Sequence, residues 1–503
     1  MSNKKNAKNI ISGFLSQLVI IVLGLIVPRI ILGQYGSDAN GVISTITQVF
    51  SYMALLEAGI GQATTNALFP YIHGGEKNTD EICDVMLLSR TYYHRVTIIY
   101  AVAVFILATL LPFGLKTTLN YWTIFGVVVF EGMTGVVSFA FIQNWTALLV
   151  ADGKSYVQSN IELFSKTFCY GIKIVLALIG VNIAYIQLGY FLVSLLKLVI
   201  YRRYMVREYN WLKYSKRTSG KKLKDRNSYV VAEIAWTVFS STDMIILSFF
   251  CSTQMASVYS IYNMVFLALN NLLNAVYNSV KFNLGQTYHK DVAAYSKLHD
   301  LFNSIFMSII TVLMIVAYYL IMPFVKLYTN GINDVDYVVT GLPLLFCLVQ
   351  LLSWSRYIAG NLTAVAGYAN KTAKASIIEA SINVILSILL VQKFNIVGVL
   401  LATVLALPVK AVYCNYLSDK KILKRNCGKT VSIIVTNFSV FFCFAFIQRW
   451  LTITVNYYFV FALYGIILTA FFGVVVFAIN CMINRELLFS SKRVITAVWR
   501  RMK

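Results

Sequence analysis

Residues 31–50 read ILGQYGSDANGVISTITQVF, and residues 246–266 read ILSFFCSTQMASVYSIYNMVF. The two stretches align with one residue of slippage, at an offset near 215. Further matches keep the same order and nearly the same spacing. Leu111-Pro112-Phe113 answers Met322-Pro323-Phe324, and Asn144-x-Thr146-Ala147 returns as Asn361-x-Thr363-Ala364. Lys154 and Glu162 return as Lys371 and Glu379, Asn182-Ile183 as Asn395-Ile396, and Lys197 as Lys410. The chain therefore repeats itself once.

The 503 residues are 58% hydrophobic and 13% charged, with a mean hydropathy of +0.71. That charge share is about half of what a soluble protein carries. Apolar runs of roughly 20 residues, the length needed to cross a bilayer, recur along the chain. They predict fourteen helices, at about 10–33, 40–69, 87–113, 119–150, 155–180, 182–203, 227–250, 254–281, 298–323, 337–367, 372–392, 395–417, 429–449 and 456–482. The reading is an all-α polytopic membrane protein. Each repeat holds six helices, an even number, so both copies start on the same membrane face and form parallel lobes. The predicted divisions are an amino-terminal lobe (1–203), a basic linker (204–226), a second lobe (227–417), two further helices (418–482) and a basic amphipathic segment (483–503).

An excess of 43 Lys+Arg over 20 Asp+Glu gives a net charge of +23. In a soluble domain this would suggest nucleic acid; here its distribution explains it. With the amino-terminus inside, 31 basic residues fall on the inner side and four on the outer: Lys116, Lys326, Lys393 and Arg449. That asymmetry predicts cytoplasmic termini and no nucleic-acid partner. The first apolar run has no small-residue cleavage site and is expected to remain as a span. Eight scattered cysteines without a C-x-x-C, and four histidines without a cluster, predict no disulfide framework, metal site or cofactor.

The plan of two six-helix lobes plus two helices resembles the multidrug/oligosaccharidyl-lipid/polysaccharide exporter superfamily. Residues 10–70 resemble its polysaccharide-type flippases. An apolar helix leads to Pro28-Arg29-Ile30-Ile31-Leu32-Gly33 and the turn Tyr35-Gly36, then Gly41 opens a helix ending Glu57-Ala58-Gly59-Ile60-Gly61. The family often has Asp-Leu-Gly where Glu57-Ala58-Gly59 stands. The resemblance implies alternating-access export of undecaprenyl-pyrophosphate-linked oligosaccharide from the inner to the outer leaflet of a bacterial plasma membrane. It also implies a cavity lined by helices 1, 2, 7 and 8, and glycan polymerase or assembly machinery as a candidate partner beside the lipid bilayer.

Helix 8 carries Asn263, Asn270, Asn274 and Asn278 on one face, followed by Lys281. Lipid cannot satisfy four carboxamides, so this face meets protein or water. It suits either a wall for sugar hydroxyls or hydrogen bonding inside the lobe. Helix 2 has Gln62 at a corresponding place. Candidate pyrophosphate ligands are Arg29, Lys281 and Arg356, each with a plainer alternative: headgroup snorkelling, positive-inside topology and a lobe-internal ion pair, respectively. Glu131 and Lys173 are expected to pair between neighbouring helices.

Acidic groups separate the mechanisms. A cation-coupled drug or small-molecule antiporter, the rival reading, needs a carboxylate in the cavity; Glu57, Glu233 and Asp243 are the candidates for proton coupling. The potential could instead drive an anion outward, by roughly 2.3 kcal/mol per charge per 100 mV. A membrane-embedded enzyme is disfavoured, because the longest outer loop, 324–336, holds Lys326, Asp334 and Asp336 but no acid, base and nucleophile set.

Overall fold

The computed structural model describes residues 2–57, 60–73, 79–212, 242–451 and 453–484. Every regular element among them is helical. α1 (Ser2–Met53) is two spans joined at Gly36, whose φ of 77° lies in the left-handed region that glycine adopts without a Cβ clash. The short turn Ala54–Glu57 leads to α2 (Ile60–His73), then come α3 (Thr79–Gly114) and α4 (Tyr121–Val137). A π-helical stretch, Ser138–Ile142, joins α4 to α5 (Gln143–Ala151), and α6 (Ser155–Leu178) and α7 (Ile183–Glu208) follow. A helix over 242–250 precedes α8 (Thr253–Lys290).

Next are α9 (Val292–Tyr328), α10 (Leu342–Trp354), α11 (Tyr357–Val365) and α12 (Ala369–Tyr416). α12 also contains two spans, parted at Asn395 with φ 47°. The last helices are α13 (Gly428–Ile447) and α14 (Tyr458–Ile483). Ten runs among the described residues are long and apolar enough to cross a membrane. Two of those, Val19–Met53 and Ala369–Ile422, contain the turns at Gly36 and Asn395. α6 falls short of that apolar standard because Glu162, Lys166 and Lys173 interrupt it. The protein is an all-α, multi-pass membrane protein.

The chain divides into two compact units, residues 1–257 and 258–503. In the first, α6 packs on α1 and α7, α4 on α3 and α7, and α2 on α5. Phe50, Tyr93, Tyr100, Val104, Val128 and Phe139 form one core; Leu68, Met86, Leu148, Tyr201 and Met205 belong to a second. Glu131 and Lys173 do not pair directly. Both α4 and α6 pack on α7, so each charge finds a partner there. Glu131 accepts from the Gln187 amide, and Lys173 Nζ lies 4.0 Å from the Tyr190 ring centre.

In the second unit α9 is the hub, packed on α10, α13 and α14. α13 and α14 are joined by a buried reciprocal amide pair, with Asn437 Nδ2 donating to Asn480 Oδ1 at 2.8 Å and Asn480 Nδ2 returning at 3.1 Å. At one end of α9, Asp300 accepts from Arg425 at 2.6 Å and pairs with Lys429 at 2.9 Å. Arg425 also donates to Asp419. Burial opposes the Arg425 charge, yet the bonds to Asp300 and Asp419 outweigh it and raise the guanidinium pKa above its ordinary value. Large apolar side chains such as Phe105, Phe113, Ile179, Val412 and Phe459 remain exposed, as on a lipid-facing surface. Residues 213–226 of the linker, the first part of helix 7 and the segment from 485 onward lie outside the described residues.

Candidate functional site

The asparagine face of α8 divides in two. Asn270 Oδ1 accepts from Trp354 Nε1 at 2.7 Å, and Asn274 lies near the Tyr357 side chain. Both partners flank the interruption between α10 and α11. There Trp354 and Tyr357 stack at 3.9 Å, and Tyr277 meets both rings edge-on. The interruption frees backbone groups that lipid could not satisfy. Asn415 Nδ2 donates to the Ser355 carbonyl at 3.1 Å, and Gly360 N–H donates to the Arg356 carbonyl at 2.7 Å. Asn263 is half-buried further up the same helix.

Further down, Asn278 and Lys281 are exposed and line a cavity of about 510 Å³ with Gln286, His289, Asn361 and Val365. Asn361 is the repeat match of Asn144, so the repeat supplies this cavity with an amide that periodicity on α8 alone does not reveal. Three carboxamides, an ammonium and an imidazole converge, and among the described residues no carboxylate lines the space. Such a set offers donors and acceptors to hydroxyls and a cation to an anion.

Arg356 is not at this cavity. It is buried and ion-paired with Glu379, and Lys410 lies close enough to interact with both. Arg29 is half-buried on α1, with Nη1 3.6 Å from where a Cβ on Gly33 would stand.

In the first unit Glu57 closes the short turn Ala54–Glu57 and accepts from the Tyr93 hydroxyl at 3.3 Å. Asp243 is buried beside Tyr52, whose hydroxyl bonds Thr242. Glu57 and Asp243 have different neighbours and form no paired-carboxylate site. The Gln62 side chain and all of Glu233 lie outside the described residues.

A further polar cluster escaped the sequence reading. Asp38, two residues after the Gly36 turn, accepts from the Thr117 hydroxyl at 2.9 Å and the Thr118 N–H at 2.7 Å. The Thr118 and Thr253 hydroxyls also donate to it. Thr253 N–H donates to the Lys116 carbonyl at 3.1 Å, and Asn40 Nδ2 donates to Ser257 at 2.9 Å. Gly41 permits this approach: a Cβ there would stand 1.7 Å from the Thr253 carbonyl oxygen. Asp38 and Thr253 are 215 residues apart, the repeat offset itself, so two equivalent turns meet here.

No protein-family model matches the chain, and no curated protein matches it. Solved structures do. An inward-facing multidrug resistance transporter of the MATE family in the MOP superfamily superposes with a TM-score of 0.62 at 13% identity, over 82% of this chain and 98% of that one. The lipid II flippase MurJ, in an inward closed conformation, gives 0.64 at 14% identity, over 95% and 99%. A MOP superfamily transporter from Pyrococcus furiosus gives 0.58 at 13%, over 83% and 96%. The chain has the fold of the MOP-superfamily transporters.

Proposed function

We propose that the protein is a flippase that carries a polyprenyl-pyrophosphate-linked oligosaccharide across a bacterial plasma membrane by alternating access, for export of cell-surface polysaccharide. Both termini lie in the cytoplasm on this reading, as the 31-to-4 charge asymmetry favours. The observation that carries the proposal is the 510 Å³ cavity at Asn278, Lys281 and Asn361, rich in amides, cationic and, among the described residues, without a carboxylate. A sugar presents hydroxyls to the amides, and a pyrophosphate presents charge to Lys281. Flipping by MurJ, a chain of the same fold, supports the substrate class. The Asp38 cluster acts as the outer seal: it closes behind neutral donors and must part when the outer face opens. Assembly enzymes that use the exported glycan are the expected partners.

A cation-coupled antiporter is the second reading. It draws on Glu57, a half-buried carboxylate at a helix interruption with Tyr93 as its hydroxyl partner, and on the MATE likeness. One assay separates them. Purified protein in sealed liposomes receives a labelled polyprenyl-pyrophosphate oligosaccharide, and its exposure to the opposite leaflet is followed under an imposed potential or pH gradient. The flippase reading expects protein-dependent translocation, lost in Asn278→Leu/Lys281→Gln and retained in Glu57→Gln. Drug uptake driven by an ion gradient and abolished by Glu57→Gln, with no lipid translocation, would establish the antiporter instead.

A further inference from the structure

The membrane side poor in basic residues holds only four in the charge reading, and two of them share a pocket. Lys326, in the last turn of α9, and Arg449, just after α13, line a space of about 660 Å³ in the second unit. Lys116, by contrast, spends its ammonium on the Phe250 carbonyl. Neither Lys326 nor Arg449 makes an ion pair among the described residues, and no carboxylate lines the pocket. Asn330, Gln448 and Asn456 add amides, while Met322 and Leu451 provide an apolar wall. Exposed Phe446, Trp450, Tyr457 and Phe459 surround the α13–α14 connection, as aromatic side chains do at headgroup depth.

A cation at a helix carboxyl end complements the dipole, and each residue stands near one. That role needs no convergence: it leaves unexplained why two scarce cations, from helices over a hundred residues apart in sequence, face one polar space beside an apolar wall. We infer that this pocket binds the phosphate of an anionic lipid in the basic-poor leaflet, the phosphate between Lys326 and Arg449 and the first part of the tail along Met322 and Leu451. The inference does not depend on what the protein transports.

Two lipids offer this chemistry, phosphatidylglycerol and a polyprenyl phosphate. Native mass spectrometry of the delipidated full-length protein tests both beside phosphatidylethanolamine and inorganic phosphate. Either anionic lipid, retained over phosphatidylethanolamine and not displaced by inorganic phosphate, supports the site, and the one retained identifies its source. Lys326→Gln/Arg449→Gln should weaken that retention about tenfold, while Lys393→Gln, on the same side and outside the pocket, should not. The charge-preserving Lys326→Arg/Arg449→Lys should keep it, which separates lost charge from lost folding. Equal retention of phosphatidylethanolamine, full displacement by inorganic phosphate, or an equal loss in Lys393→Gln would overturn the assignment.

Discussion

Two repeat-related spans yield at the same place and in different ways. In the first, Tyr121–Ala151, the helix loosens into a π stretch that begins at Ser138; in the second, Leu342–Val365, it breaks at Ser355, 217 residues later. The next residue is Phe139 in one case and Arg356 in the other. Phe139 is buried and meets Tyr100 edge-on at 4.8 Å, so the deformation is packed by rings. Arg356 is buried against Glu379, and Asn415 satisfies the backbone freed beside it. The repeat has kept where the helix gives way and changed what fills the gap. Charge and amides collect in the second copy, next to the candidate cavity.

The largest effect should come from breaking the charged copy. Arg356→Met removes the ion-pair partner of Glu379, leaving only Lys410 near it, and should cost about 2–4 kcal/mol. Thermal unfolding in detergent would register it, and Arg356→Met/Glu379→Met should recover most of the loss. A double variant no more stable than the single one would remove the pair as the reason for Arg356.

Next is the meeting of the two equivalent turns. Gly41→Ala places a methyl carbon against the Thr253 carbonyl, so the Asp38 cluster cannot form as it stands. In an Asn40→Cys/Ser257→Cys background, cross-linking should fall several-fold on adding Gly41→Ala. Unchanged yield would mean that the two turns do not depend on this approach.

The repeat-matched asparagines sharpen the comparison at smaller scale. Asn144 is buried and donates to the Met86 carbonyl at 3.2 Å, whereas Asn361 lines the cavity. Asn144→Leu should lower stability by about 1–3 kcal/mol. Asn361→Leu should chiefly lower translocation in the liposome assay. If the two variants behave alike, the copies have not divided their roles. Smallest of all, Ser355→Ala removes one hydroxyl bond to the Leu352 carbonyl and should change stability by no more than about 1 kcal/mol, since Asn415 still serves the break.

These pairs also mark what a sequence discloses. Spans, their turns and the repeat were legible because apolar runs of fixed length and a constant offset are properties of the string. The face shared by Asn270, Asn274 and Asn278 was legible from helical period alone. What that face meets was not: Trp354 and Tyr357 reach it because α10 stops at Trp354, and neither proline nor glycine marks the stop. Glu131 and Lys173 were expected to pair with each other and do not; their partners came from α7, because packing neighbours are not sequence neighbours. Asp38 carries no local mark of its role in the string. Its donors lie 79, 80 and 215 residues away, and only the coincidence of that last distance with the repeat offset hinted at it.

The reciprocal amides of Asn437 and Asn480 bear on how the chain is made. α13 leaves the ribosome before α14, and during that interval Asn437 has no Asn480 to meet. Each side chain alone is a polar defect that a solitary helix would carry into hydrocarbon; together they cancel. Pairing the two amides therefore favours these helices coming together in the membrane as a hairpin.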